Sequence, residues 1–203
     1  MSIAKEGNLI PFPDRSEFEE TEETSAHPLG PAFAAFDQKF DLVWERFRGQ
    51  PVLDKTFYLA SELADFSVLW HIMGLSKGLT SSSAQSEAVR LSAALIAESG
   101  IVNGILKSLF RRDRPDHIEE RPHVLRQPLT SSFPSGHASA AFLAATLLAE
   151  RSKFKPLWYG LAGIVATSRI HVKIHHASDV IAGALVGLGL SRIVKKFFPL
   201  QKF

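Results

Sequence analysis

The run His171-Val-Lys-Ile-His175-His176-Ala-Ser-Asp179 continues without interruption into Val180-Ile-Ala-Gly-Ala-Leu-Val-Gly-Leu-Gly-Leu190. Its first half is dense in imidazole and ends on a carboxylate, and its second half is apolar and punctuated by glycine. If Asp179 sits in the first turn of a helix, His175 one turn earlier shares its face. The carboxylate can then hold one ring nitrogen while the other meets a ligand. That is the arrangement of an oriented nucleophile or base. The apolar half predicts a helix over about Ser178 to Phe198.

Outward from this stretch, four more helical segments are expected, at about Lys55 to Leu79, Gln85 to Arg111, Ser135 to Glu150 and Pro156 to Arg169. Thr80 to Ala84 and Arg151 to Pro156 separate neighbours. The polar stretch Arg112 to Ser132, with Pro115, Pro122 and Pro128, reads as a loop on which chemistry can hang. From Pro31 to Arg48, Phe33, Phe36, Phe40, Val43, Trp44 and Phe47 alternate with charges in an amphipathic helix that either lies along a membrane interface or caps the core. The fold class is therefore all-α, a multi-helix bundle with about five membrane-embedded helices plus an N-terminal amphipathic helix. No window reaches the ~18 charge-free apolar residues of a typical span. The longest approaches are Phe133 to Ala149, Leu157 to Ser168 and Val180 to Ser191, each stopped by a polar site residue or a basic one, as polar groups at helix ends inside a bundle require. Ala138, Ala140, Ala141, Ala144, Gly160, Gly163, Gly183 and Gly187 offer close-packing faces. A mean hydropathy close to zero keeps a soluble bundle as the alternative.

At 203 residues with 45% hydrophobic content, one domain is expected over 28–203, and the acidic, polar residues 1–27 read as a disordered tail. That tail sets seven acids against Lys5 and Arg15, a net −5; the whole chain is +2, so the remainder is +7. A basic body suits an anionic substrate or membrane surface, and no nucleic-acid partner is expected. With no cysteine, disulfides and thiolate metal sites are excluded. The N-terminal residues lack the succession of a cleavable signal peptide, which disfavours a secreted soluble enzyme.

Three further groups accompany the His175 region. Lys107 and Arg114, the latter ahead of the helix-breaking Pro115, can converge on one anion. Phe133-Pro134-Ser135-Gly136-His137 reads as a turn opening a helix, whose free N–H groups favour an anion. His137 in that first turn can donate a proton to a leaving oxygen. Arg169, six positions before His175, adds a third cation. His171, His175, His176 and Asp179 also have acceptable spacing for zinc or iron ligands. Lys107, Arg114 and Arg169 would crowd such a metal with like charge and suit a phosphate instead.

The ordered set Lys107-(six residues)-Arg114-Pro115, Pro134-Ser135-Gly136-His137 and Ser168-Arg169-(five residues)-His175-(three residues)-Asp179 resembles the three-part signature of the type 2 phosphatidic acid phosphatase superfamily, over about residues 85–190. The resemblance implies that His175 attacks phosphorus to give a phosphohistidine while Asp179 orients its ring. It implies that His137 protonates the leaving oxygen and later activates water. Lys107, Arg114, Arg169, Ser135 and Gly136 would hold the equatorial oxygens, with no metal or other cofactor. The expected substrate is a lipid phosphate or pyrophosphate, such as phosphatidate or an isoprenoid phosphate, met among membrane lipids by a multi-pass protein. Alternatives are a lipid phosphotransferase, a soluble nonspecific acid phosphatase, a vanadate-dependent haloperoxidase, and a non-enzymatic scaffold. If helices alternate in direction, every site residue meets at one end of the bundle. The other end carries Lys77, Arg151, Lys153, Lys155, Lys195, Lys196 and Lys202, which favours an extracytoplasmic site, against a weaker opposing cluster of Arg111, Arg112, Arg121 and Arg126.

Overall fold

Helix Gly136–Leu148 is alanine- and leucine-rich and carries no charge past His137, the composition of a helix enclosed on all sides. The computed structural model, which describes residues 29–115, 125 and 130–200, places it at the centre, with Ala138, Ser139, Ala140, Ala141, Leu143, Ala144 and Ala145 all buried. Among the described residues every regular element is helical: α1 Pro31–Trp44, α2 Pro51–Leu63, α3 Val68–Gly78, α4 Ser82–Leu109, α5 Gly136–Leu148, α6 Lys155–His171 and α7 Ala177–Phe197. The all-α expectation holds. The expected acidic tail, Arg121, Arg126, Lys202 and most of the 112–132 loop lie outside the described residues.

Central α5 packs on α7, α6 and α4. The α5–α7 seam is set by two glycines: a Cβ at Gly183 would collide with the Ser135 carbonyl oxygen, and one at Gly187 with that of Ser139. Their absence of side chains brings the two backbones together and puts the start of α7 beside the start of α5. Gly160 and Gly163, expected to do the same on α6, face open space. Trp70, Leu91, Leu95 and Leu143 fill the main core between α3, α4 and α5.

Two segments depart from the expected pattern. The helix foreseen over Lys55 to Leu79 is two helices, parted at Asp65–Ser67, where Phe66 and Ser67 take positive φ of 52° and 60°. Neither is glycine, so local preference does not explain the break; tertiary contacts hold it. Within α4, the backbone widens to π-type turns over Gly100–Leu106 before returning to α geometry at Lys107. Two helices, Ser82–Leu109 and Ala177–Phe197, are long and apolar enough to cross a membrane, and α5 is apolar but shorter. Their outer faces present Val89, Ile96, Ile181 and Leu185.

α1 settles as a cap on the core. Phe40 and Trp44 pack against Ala166, Ile170, Ala177 and Val180. Arg48, just beyond it, donates to the carbonyls of His171 (3.0 Å) and Ile170 (2.9 Å) at the C-terminal end of α6, where a cation complements the helix dipole. Phe33, Phe36 and Leu42 remain on its exposed side.

Candidate active site

His175 stands in the short link between α6 and α7, two residues ahead of the helix, and not on a helical face as the spacing suggested. Its backbone N–H bonds to the Arg169 carbonyl at 3.1 Å, which ties the link back to the end of α6. Asp179 is the third residue of α7, fully buried, and its Oδ2 accepts the His176 N–H at 2.9 Å. This capping contact aims the carboxylate backwards, so Oδ2 also lies 3.5 Å from His175 Nδ1, an ion-pair separation longer than a hydrogen bond. On the other side of the ring, Arg114 Nη1 is 3.4 Å from Nε2. Burial, reinforced by the Arg169 and Arg114 guanidiniums, pushes His175 down to about 3 against the opposing pull of Asp179. The imidazole is therefore neutral near pH 7, with a lone pair available.

Behind Asp179 lies a network that spacing alone did not reveal. Arg112 is buried; its Nη1 reaches Asp179 Oδ1 and Ser178 Oγ (2.8 Å), and its Nη2 reaches Asp37 Oδ2 at 2.6 Å. Asp37, from α1, accepts the Ser178 N–H at 2.8 Å and its hydroxyl at 2.6 Å. Ser132 Oγ donates to Asp179 Oδ2. Arg112 looks like one more basic residue at a helix end, and Asp37 like the polar face of an amphipathic helix; neither carries a local signal. Together they fix Asp179, and Arg112 pairs with both buried carboxylates.

The remaining expected residues converge. Arg114 is anchored by the carbonyls of Ile174 (2.9 Å) and Thr130 (2.9 Å), and Lys107 Nζ contacts Thr130 Oγ1 at 3.3 Å. Arg169, buried at the end of α6, bonds to Ser61 Oγ of α2 and stands within electrostatic reach of both His137 and His175. Ser135 is the N-cap of α5: its Oγ accepts the Ala138 N–H at 3.5 Å and its carbonyl the Ser139 N–H at 3.1 Å. The N–H groups of Gly136 and His137 are the remaining donors of that first turn. Lys107, Gly136, His137 and His175 line one cavity of about 540 Å³ together with Asp65, Phe66 and Ser67.

The four residues with metal-like spacing do not converge. His171 turns away from His175: its Nε2 bonds to Asp54 Oδ1 at 2.8 Å, and its Nδ1 accepts the Trp44 indole N–H at 3.3 Å. Among the described residues no group of three His, Asp or Glu side chains is placed to hold a metal ion.

A family model described as the PAP2 superfamily matches residues 87–202. The chain is 40% identical over 90 residues to decaprenylphosphoryl-5-phosphoribose phosphatase of Mycobacterium tuberculosis, covering 44% of this chain and 50% of that protein. It is 32% identical over 109 residues to phosphatidylglycerophosphatase B of Bacillus subtilis, covering 48% and 51%. The chain thus spans about half the length of the curated relatives it matches. In three dimensions it is similar to a transmembrane PAP2 type phosphatidylglycerolphosphate phosphatase from Bacillus subtilis, with a TM-score of 0.63 and 25% identity over 82% of this chain and 86% of that one. That likeness and the two helices of spanning length make the chain a helical membrane protein.

Proposed function

The chain belongs to the PAP2 superfamily, and from that premise we propose that it is a phosphatase that hydrolyses a lipid phosphate or pyrophosphate through a phosphohistidine. One observation carries the reading: a neutral imidazole, His175, has a carboxylate at one ring nitrogen and a guanidinium at the other, on the wall of a cavity shared with Lys107, Gly136 and His137. Its Nε2 attacks phosphorus while Asp179 stabilises the charge that develops on the ring. Lys107, Arg114 and Arg169, with the N–H groups at the start of α5, neutralise the equatorial oxygens as charge spreads over them. Ser135 sets those N–H groups by capping the helix, and its own hydroxyl proton remains free to donate to the same oxygens. His137 gives a proton to the leaving oxygen and takes one from the incoming water. Three cations supply the charge stabilisation that a metal provides elsewhere.

The substrate is a lipid, because the cavity opens beside Ile96 on the outer, apolar face of α4. The relatives named above are a decaprenylphosphoryl-5-phosphoribose phosphatase and a phosphatidylglycerophosphatase, and both classes of lipid phosphate belong in the substrate screen. Lys77, Arg151, Lys153, Lys155, Lys195 and Lys196 gather at the opposite end of the bundle, which supports an extracytoplasmic site. The test is phosphate release from a panel of lipid phosphates in detergent micelles. Free phosphate is the expected product. Transfer to an added alcohol without free phosphate would replace hydrolysis by phosphotransfer.

A further inference from the structure

We propose that Asp65 is the positioning residue for His137, holding a proton on that imidazole for delivery to the leaving oxygen; the assignment rests on the phosphatase reading above. Asp65 Oδ1 lies 3.0 Å from His137 Nε2, and the two side chains share the wall of the cavity that holds His175 and Lys107. The backbone takes an unusual course to put it there. Asp65 opens the break between α2 and α3, and the next two residues, Phe66 and Ser67, both adopt positive φ. Strain of this kind persists only where surrounding contacts over-determine it, and it gathers at functional sites.

The chemistry needs such a group. The charged groups facing His137 are Lys107 from α4, Arg169 from α6 and Asp65 from the break. Burial first, and then the two cations, hold this imidazole down to about 4, and Asp65 pulls the other way. Asp65 is the carboxylate in contact with the ring, while a second carboxyl, Glu98, lines the same cavity farther off. The Asp65 side chain is 28% exposed, which gives it contact with solvent and a route for proton exchange.

The reaction balances around this pair. In the first half, His175 Nε2 bonds to phosphorus, the bond from phosphorus to the ester oxygen breaks, and that oxygen leaves with the proton from His137. In the second half, water gives a proton to His137 and its oxygen bonds to phosphorus. The phosphorus–nitrogen bond then breaks, its electron pair returns to Nε2, and inorganic phosphate departs. With the anionic phosphate in place, Asp65 stabilises the imidazolium that donates in the first half and the one regenerated at the end of the second.

An alkoxide is a poor leaving group and needs the proton, whereas a nitrophenolate leaves without one. The experiment therefore compares Asp65→Asn with the wild type on a long-chain alkyl phosphate and on a long-chain nitrophenyl phosphate, in the same detergent. The expected loss in kcat/KM, which reports only the steps up to departure of the leaving group, is on the order of 10²-fold on the alkyl ester and less than about threefold on the nitrophenyl ester. Asp65→Glu should recover part of the alkyl activity. Equal losses on the two esters, or none on either, would overturn the assignment while leaving the phosphatase reading intact. A wild-type protein that releases phosphate from neither ester would remove the reading itself.

Discussion

His171 and His175, four positions apart in sequence, each sit beside a carboxylate, and the two pairs are built for different ends. His171 meets Asp54 at 2.8 Å, a good hydrogen bond, and its second nitrogen is occupied by the Trp44 indole. Phe57 stacks near the ring, with centroids 4.6 Å apart. Both nitrogens are satisfied, so the pair ties α2 to α6. His175 has the looser contact, 3.5 Å to Asp179, but its second nitrogen faces a guanidinium and a cavity. A histidine beside a carboxylate is common to both. Access and surrounding cations make only one of them a candidate for chemistry.

The sharpest way to break this comparison is to remove each imidazole in turn. His175→Ala should lower phosphate release by a factor on the order of 10³ or more with the fold retained, read by product assay beside thermal unfolding in detergent. His171→Ala should do the reverse: it costs about 1–3 kcal/mol of stability by leaving Asp54 and Trp44 unpaired, and turnover stays within a few-fold once the protein is folded. Equal losses of activity in the two variants would erase the distinction. Next in size is Arg112→Met, which strands Asp37 and Asp179 as unpaired buried anions. It should destabilise by about 3–5 kcal/mol and reduce activity together, which a melting curve and an assay at low temperature separate. Gly187→Leu, aimed at the α5–α7 seam that brings the two helix starts together, should cost at least about 1–3 kcal/mol by overpacking, read by thermal unfolding.

A smaller effect distinguishes the pairs by pH. The folded protein holds His175 at about 3, below the ordinary imidazole value of 6.5. Between these values the unfolded chain takes up a proton that the folded one refuses. Stability should therefore fall as pH drops through that window, and the decline should be shallower in His175→Asn. Smallest of all is the expected response to chelation: EDTA should leave activity unchanged while vanadate, a mimic of the five-coordinate phosphorus, inhibits. Loss of activity on chelation would return a metal to the site.

Much of the candidate site was legible because its parts, each weak alone, fall in the order of a three-part family signature. Lys107, Arg114, Ser135, Gly136, His137, Arg169, His175 and Asp179 could all be named from residue type and order. Asp37, Arg112 and Ser132 could not, since a buried ion pair and an exposed one look alike until the partner, 75 positions away for Arg112 and Asp37, is known. The broken helix at Asp65 was illegible for a related reason. Phe66 and Ser67 carry no turn signature, and their left-handed backbone is imposed by what surrounds them.

By itself, then, the chain determined its helical class, the approximate limits of its apolar segments and, through an ordered set of motifs, the candidate site groups, because these follow from periodicity and side-chain chemistry within short stretches. Only the tertiary structure decided which histidine has an open nitrogen, which carboxylates are buried against Arg112, and that α2 and α3 are two helices. Those outcomes depend on burial and on contacts between distant segments, and burial is a property of the packed molecule that no single stretch contains.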